Sequence, residues 1–420
     1  MLISRPRGTS DLLPGDTARW QRVEAVIRDL CRVYGYGEIR TPLFEATELF
    51  QRGVGDITDI VEKEMYTFTD KGGRSLTLRP EGTAPVTRAY LENGLHAVPQ
   101  PVKLFYVGPM FRYDRPQAGR YRQFHQFGVE IFGAADPAAD AEVIALAMHF
   151  FDRLGLAGLE LHLNSVGCPG CRAVLRRKLA DYFEPRADEL CANCRGRLRK
   201  NPLRLLDCKE ERCREAGRGA PVPVDYLCPE CGGHFGRVQR YLDLLGISFK
   251  LNPCLVRGLD YYTRTAFEIL VPGGGAQDAV GGGGRYDGLV SAIGGPAVPG
   301  VGFALGLERT LLLWSRQAGE EVLPQGPVVF IATAGETEET ATVLLSGLRA
   351  AGVPADREYT GRSLKAQMKF AAKLGARWVI IVGKDELEAG EVILRDMGAG
   401  LQTRVSLGEV VERLRRDARG

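Results

Sequence analysis

From Trp20 onward, the apolar positions Val23, Ile27, Leu30, Cys31 and Tyr34 recur at three- and four-residue intervals. That spacing predicts a helix with one buried face, capped at its start by Asp16 or Thr17 and closed by Gly35. Shorter runs follow. Ile39 to Phe44 is expected as a strand, and its Pro42, which has no ladder donor, puts it at an edge or an interface. Met65–Phe68 and Ser75–Leu78 predict two strands around a Lys71-Gly72-Gly73 turn. Leu104–Val107 predicts another. After it, Phe124, Gln126, Gly128 and Glu130 alternate with His125, Phe127, Val129 and Ile131, the period-two pattern of a strand. Pro116 and Gly119 supply turn residues between them, so this stretch is an antiparallel hairpin. Helices are expected at Asp140–Leu154 and Arg237–Leu245, and a strand at Leu159–Leu163. Gly300–Leu307 reads as a small-residue strand running straight into a helix near Arg309.

Near residue 328 the pattern changes. Val328–Ala332 and Trp378–Gly383 are apolar runs of buried strands. Residues 336–351 and Arg362–Leu374 read as helices, and Glu391–Arg395 with Gln402–Val405 as a hairpin. This alternation predicts a small α/β domain over residues 326–420, following a larger domain over residues 1–325. Residues 315–327 have the composition of a linker. A chain of 420 residues, 45% hydrophobic and 25% charged, fits two or three globular domains. No apolar run approaches the roughly 18 residues of a membrane span, and the opening MLISRPRGTS lacks the apolar core of a signal peptide. A cytoplasmic protein is therefore expected, in which ten cysteines are thiols or metal ligands rather than disulfides. The net charge of +3 neither demands nor excludes a nucleic-acid partner.

Charge is concentrated locally. The hairpin loop holds Arg112, Arg115, Arg120 and Arg122, with Asp114 as an ion-pair candidate for Arg115. Guanidinium groups at that density suit a polyphosphate, since each presents a rigid fork of donors. The plain alternative is a solvated loop. Gln126 and Glu130 leave the same face of an otherwise apolar strand, as in a pocket floor. The Gly281–Gly284 run lacks the Lys-Ser/Thr of a phosphate loop and reads as backbone approached closely by a ligand or neighbouring strand.

Residues 172–218 carry 14 Lys or Arg against 8 Asp or Glu, and eight cysteines fall between 168 and 231. Residues 168 to about 238 are therefore expected as an insertion in the larger domain. The spacing C-x2-C-x13-C-x4-C of Cys191, Cys194, Cys208 and Cys213 is close to that of a structural Zn2+ site. The outer pairs, Cys168/Cys171 and Cys228/Cys231, could close a second one. Metal-free reduced thiols are the competing reading.

The FRYDRP stretch followed by RYRQFHQFGVEIFG resembles motif 2 of the class II aminoacyl-tRNA synthetases, in its histidyl-tRNA synthetase form. RGLDYYTRTAFE (Arg257–Glu268) is similar to the histidine-specific motif of that family, GVGFALGLER (Gly300–Arg309) to motif 3, and LRPEGTA (Leu78–Ala84) to its amino-acid-binding loop. The first helix and the Pro42 strand resemble motif 1, which builds a dimer interface. Residues 326–420 resemble the anticodon-binding domain, where Lys365, Lys369 and Lys373 share one helical stripe beside Arg362. The resemblance spans nearly the whole chain. It implies an α/β protein whose α+β catalytic domain has a mixed, mainly antiparallel sheet. It also implies a homodimer and a reaction in which ATP and Mg2+ activate L-histidine for transfer to its tRNA. By the same resemblance, Arg112, Arg257 and Arg309 are catalytic; Arg112, Arg120 and Arg309 bind ATP; and Glu81, Thr83, Gln126, Glu130, Tyr261 and Tyr262 bind histidine.

Three readings compete with this one. The first is a regulatory subunit of ATP phosphoribosyltransferase without ligase activity. It fits poorly with the C-terminal domain and the three arginines. The second is a zinc-dependent nucleic-acid-binding protein, which explains the cysteines but not the pocket residues. The third concerns Arg257 alone, as a structural ion-pair partner of Asp260.

Overall fold

The computed structural model describes residues 3–55, 58, 60–273, 279–318 and 327–417. They form two compact units, one built mainly on Arg19–Glu321 and the other mainly on Val322–Gly420. Most of the expected linker, residues 319–326, lies outside the described residues. No helix among the described residues is long and apolar enough to cross a membrane.

In the first unit the strands are β1 (Gly37–Glu38), β2 (Phe44–Ala46), β3 (Tyr66–Thr69), β4 (Ser75–Leu78), β5 (Val102–Phe111), β6 (Gln123–Phe132), β7 (Glu160–Ser165), β8 (Lys250–Leu251), β9 (Thr263–Leu270), β10 (Ala279–Arg285) and β11 (Gly300–Gly306). The helices are α1 (Pro14–Tyr34), α2 (Thr47–Val54), α3 (Thr83–Glu92), α4 (Pro137–Arg153), α5 (Pro169–Phe183), α6 (Ala192–Lys200), α7 (Glu211–Ala216), α8 (Pro229–Leu244), α9 (Leu289–Ala292) and α10 (Leu307–Ala318). Eight strands make one sheet in the order β1-β5-β6-β11-β10-β9-β7-β8. Its pairings are antiparallel except at the two ends, β1 with β5 and β7 with β8. This is the mixed, mainly antiparallel sheet that the resemblance implies.

Alternation along the strands divides the sheet into two faces. Phe127, Val129 and Ile131 of β6, Val301, Phe303 and Leu305 of β11, and Phe267 and Ile269 of β9 share one core with residues of α1, α4, α8 and α10. The opposite face carries Gln126, Glu130 and Glu268 among glycines. There the glycines are a steric requirement. A Cβ at Gly302 would meet Glu130 Oε2 at 2.0 Å, and one at Gly128 would meet the Tyr106 ring at 2.3 Å.

Two expectations near the N-terminus need correction. Residues 39–43 are not a strand: only Gly37–Glu38 and Phe44–Ala46 pair. Pro42 offers no donor, and the segment's carbonyls turn to a guanidinium instead. Arg79 Nη1 donates to Thr41 O at 3.0 Å and Pro42 O at 3.4 Å. The first helix begins at Pro14, ahead of the expected caps Asp16 and Thr17, because proline's missing N–H costs nothing at a first helical position.

Between β7 and α8 lie α5, α6, α7 and three short 3₁₀ turns. Leu175, Leu179, Phe183, Leu190, Cys194, Leu203, Leu205 and Cys213 give this excursion a small core of its own. The helix expected from Arg237 starts eight residues earlier, at Pro229, where a glycine-rich sequence hides its periodicity.

In the second unit β12 (Val329–Ala334), β13 (Ala355–Arg357), β14 (Trp378–Gly383), β15 (Glu391–Asp396) and β16 (Gln402–Ser406) alternate with α11 (Glu338–Ala350), α12 (Leu364–Lys373), α13 (Lys384–Glu388) and α14 (Val410–Asp417). The order β13-β12-β14-β15-β16 has parallel strands at one side and an antiparallel pair at the other. Apolar residues cover both faces of this sheet. On α12, Gln367 and Ala371 are buried while Lys365, Lys369 and Lys373 are exposed.

Candidate active site

The polar face of the large sheet floors a cavity of about 230 Å³, whose lining includes Arg112, Arg120, Gln126, Arg257, Glu268 and Arg309. Each arginine is held by a different element. Arg112, just past β5, donates from Nε to Pro80 O at 2.8 Å, and its guanidinium lies over the Phe124 ring. Burial pushes its pKa down, so the folded chain holds a poorly solvated cation at this position. Arg309, in the first turn of α10, donates from Nε to Gly119 O at 3.0 Å and from Nη1 to Ala279 O at 2.6 Å. Arg120, on the loop between β5 and β6, forms an ion pair with Asp114. Asp114 was the expected partner of Arg115, but Arg115 meets it only through its backbone N–H.

Arg257 pairs with Glu268 of β9, Nη1 to Oε1 at 2.7 Å. Asp260 is not its partner: the Asp260 carboxylate accepts from Asn201 Nδ2 at 2.9 Å, and its backbone oxygen from Arg172. Burial favours a neutral Arg257, but Glu268 together with Tyr262 and Tyr261 outweighs it, and the pKa rises. Arg257 Nε is buried without a hydrogen-bond partner among the described residues.

Deeper on the same face is a closed set of polar groups. Glu81 caps α3, its carboxylate accepting from Thr83 N at 2.7 Å and Ala84 N at 2.8 Å. Thr83 Oγ1 donates to Glu130 Oε1 at 2.7 Å, and Tyr286 OH donates to Glu130 Oε2. Burial pushes the Glu130 carboxyl up to about 8, against the hydrogen bonds from Tyr286 and Thr83. Burial also raises the Glu81 carboxyl. Tyr261 and Tyr262 are buried with ring centroids 4.7 Å apart, and Tyr261 also meets the Tyr286 ring edge-on. Gln126 Oε1 is buried without a partner among the described residues. An unpaired buried acceptor is costly, and a ligand donor would relieve it.

The structure thus brings the expected residues onto one face in two groups, a cationic cavity and a carboxyl-bearing chamber, with Gln126 lining the former on the same strand face as Glu130 of the latter. The sequence reading missed Glu268, Tyr106 and Tyr286. Glu268 was visible as a lone carboxylate in the alternating run Thr263–Leu270. Tyr286 was not visible, because nothing local marks a ring that reaches a strand distant in sequence, nor was Tyr106, whose place against Gly128 depends on the register of β5 on β6. The four cysteines Cys191, Cys194, Cys208 and Cys213 also converge, all Sγ atoms lying within 4.8 Å of one another.

The fold is of the class II synthetase type. A family model described as histidyl-tRNA synthetase matches residues 8–181 and 232–310, and one described as an anticodon binding domain matches residues 327–417. A histidine–tRNA ligase of Desulforamulus reducens is 62% identical over 412 residues, 98% of each chain. A crystal structure of apo S. aureus histidyl-tRNA synthetase superposes with a TM-score of 0.84 at 42% identity, covering 99% of this chain and 100% of that one. A structure described as an ATP phosphoribosyltransferase regulatory subunit/histidyl-tRNA synthetase from Bacillus halodurans C shares the fold, with a TM-score of 0.66 at 24% identity over 91% of this chain and 99% of that one. The chain belongs to the histidyl-tRNA synthetase family.

Proposed function

We propose that this chain is an ATP-dependent ligase that activates L-histidine as histidyl adenylate and transfers histidine to the 3′ end of its tRNA. The observation that carries this reading is the buried Glu130–Thr83–Tyr286 chamber on the same strand face as Gln126, which lines the four-arginine cavity. The relatives named as histidine–tRNA ligases support it, and the anticodon-binding match disfavours a purely regulatory subunit.

The first step needs no protein nucleophile. The histidine carboxylate attacks the α-phosphorus of ATP and pyrophosphate leaves, so catalysis consists of alignment and stabilisation of developing negative charge. Arg112 and Arg257 are assigned to the α-phosphate and the attacking carboxylate. Arg309 is assigned to the γ-phosphate, with Arg120 closing over the nucleotide. Magnesium, bound with ATP, would supply positive charge to its phosphates. Glu268 and Glu308 line the cavity as oxygen donors suited to such a hard ion, although Glu268 is also held by Arg257 and Glu308 by His125.

Glu130 and Tyr262 are assigned to the two ring nitrogens of histidine, with Tyr261 as a wall. Glu81, Thr83 and Gln126 are assigned to its ammonium group, for which Gln126 Oε1, without a partner among the described residues, is a ready acceptor. A pocket of buried polar groups rejects analogues that leave them unpaired, by factors of roughly 10⁴.

Residues 1–325 are assigned as the catalytic domain and residues 326–420 as the anticodon-binding domain, with the exposed Lys365, Lys369 and Lys373 facing the tRNA. The insertion at about 168–238 is assigned a structural Zn2+ on Cys191, Cys194, Cys208 and Cys213. The donor set fits, since four thiolates this close are a tetrahedral site for a soft ion. Exposed Phe44 and Phe68 on the three-stranded sheet, with exposed Leu43 just before it, support a homodimer. The location is assigned as cytoplasmic. The test is charging of tRNA with labelled amino acid: histidine should be attached in an ATP-dependent reaction, and attachment of another amino acid in its place would refute the assignment.

A further inference from the structure

Two turns of sequence C-P-x-C, Cys168-Pro169-Gly170-Cys171 and Cys228-Pro229-Glu230-Cys231, open α5 and α8. They stand about sixty residues apart in sequence, where the insertion leaves the end of β7 and where it returns. Their four Sγ atoms nevertheless lie within 4.8 Å of one another. This quartet is separate from the one inside the insertion and shares no residue with it.

The spacing fits one ion. Thiolates bound at about 2.3 Å in a tetrahedron put their sulfurs about 3.8 Å apart, whereas a disulfide needs about 2.05 Å. Cys168 Sγ and Cys171 Sγ are 3.6 Å apart. The backbone supports the charged sulfurs as well: Cys228 N–H donates to Cys171 Sγ at 3.1 Å. Cys171 and Cys231 are buried, and Cys168 and Cys228 partly so. Gly167 makes room for the cluster. It sits at φ +71°, and a Cβ there would meet Cys171 Cβ at 2.5 Å.

We propose that Cys168, Cys171, Cys228 and Cys231 bind a second zinc-class cation, which staples the root of the insertion to the catalytic sheet. The staple is continuous with the histidine chamber. Arg264 N–H donates to Gly167 O at 2.9 Å, and Val166 N–H donates to Arg264 O at 2.7 Å. The Arg264 guanidinium pairs with Glu230, inside the second C-P-x-C turn. Arg264 is held at φ +50°, two residues after Tyr262. A residue in that strained conformation persists only when its surroundings hold it. The metal-tied root is thus a positioning device for Tyr261 and Tyr262.

The test is zinc content of full-length protein purified without chelator, with the two quartets altered separately. The Cys168→Ser/Cys228→Ser variant should lose one equivalent of zinc relative to wild type. Cys191→Ser/Cys208→Ser should leave that equivalent in place. In pyrophosphate exchange the first variant should show a histidine KM raised severalfold, with the KM for ATP nearly unchanged. Zinc content unchanged by Cys168→Ser/Cys228→Ser would overturn the proposal. Should that variant fail to fold, wild-type protein is labelled with a thiol reagent and mapped by mass spectrometry. The four root cysteines should resist labelling until a chelator is added. Their ready labelling in the folded, unchelated protein, or their recovery as disulfides, would overturn the proposal equally.

Discussion

Arg257 concentrates the chemistry in one side chain. Among the described residues it is held by a single carboxylate, Glu268, while its Nε has no hydrogen-bond partner. A cation with unused donors beside a phosphate-sized cavity is poised for charge that appears only during reaction. Arg257→Ala is therefore expected to lower the rate of adenylate formation by roughly 10²–10³, the loss typical of one preorganised donor, with the loss mainly in kcat. Pyrophosphate exchange and thermal unfolding measured together check this. A folded variant with near-normal exchange would remove Arg257 from the mechanism. Glu130 makes a different prediction. Its carboxyl is raised to about 8 by burial, so between about pH 4.5 and 8 the folded chain keeps a proton that the unfolded chain has lost. Its contribution to stability is full below the unfolded pKa and is lost as the pH rises through about 8. Glu130→Gln should flatten the fall in stability between pH 5 and 8, by about 1 kcal/mol or more at the upper end. Denaturant melts across that range read the effect, and parallel wild-type and variant curves would contradict it. The same variant should also impair histidine recognition.

At the scale of elements, the hairpin of β5 and β6 was legible because its second strand announces its period: apolar Phe127, Val129 and Ile131 against Gln126, Gly128 and Glu130. Both buried strands of the second unit, β12 and β14, were legible for the related reason that two covered faces demand continuous apolar runs. Ile39–Phe44 was misread because strand-like residues do not reveal that Arg79 takes the carbonyls a neighbouring strand would have used. The candidate site followed the same rule. Its members on motif-bearing loops and strands could be named from the sequence, whereas the Arg257–Glu268 pair and the Tyr286–Glu130 contact depend on register between strands distant in sequence. Register also makes β11 testable. Gly302 sits opposite Glu130, and the Cβ of Gly302→Ala would fall 2.0 Å from its carboxylate. The variant should fold less stably by about 1–3 kcal/mol and lose histidine activation more than ATP binding. Unchanged exchange in Gly302→Ala would mean that Glu130 need not occupy its present position.

For the molecule as a whole, labour is divided between two units. The residues assigned to ATP and histidine all belong to the first unit, and the exposed lysine stripe of α12 belongs to the second. Removing residues after about 325 should leave adenylate formation intact and weaken tRNA charging. The tRNA affinity of the intact chain should fall steeply with salt, as counterion release requires. A truncated chain that charges tRNA as well as the full one would reject this division. The claim beneath all of these is that the carboxyl-bearing chamber and the arginine cavity together activate histidine. Amino-acid-dependent ATP–pyrophosphate exchange on the purified full-length chain, run without tRNA across the protein amino acids, tests it most directly. Exchange supported by histidine, and by no other amino acid at comparable efficiency, is the predicted result. A folded chain that binds ATP yet supports no exchange with histidine would contradict it.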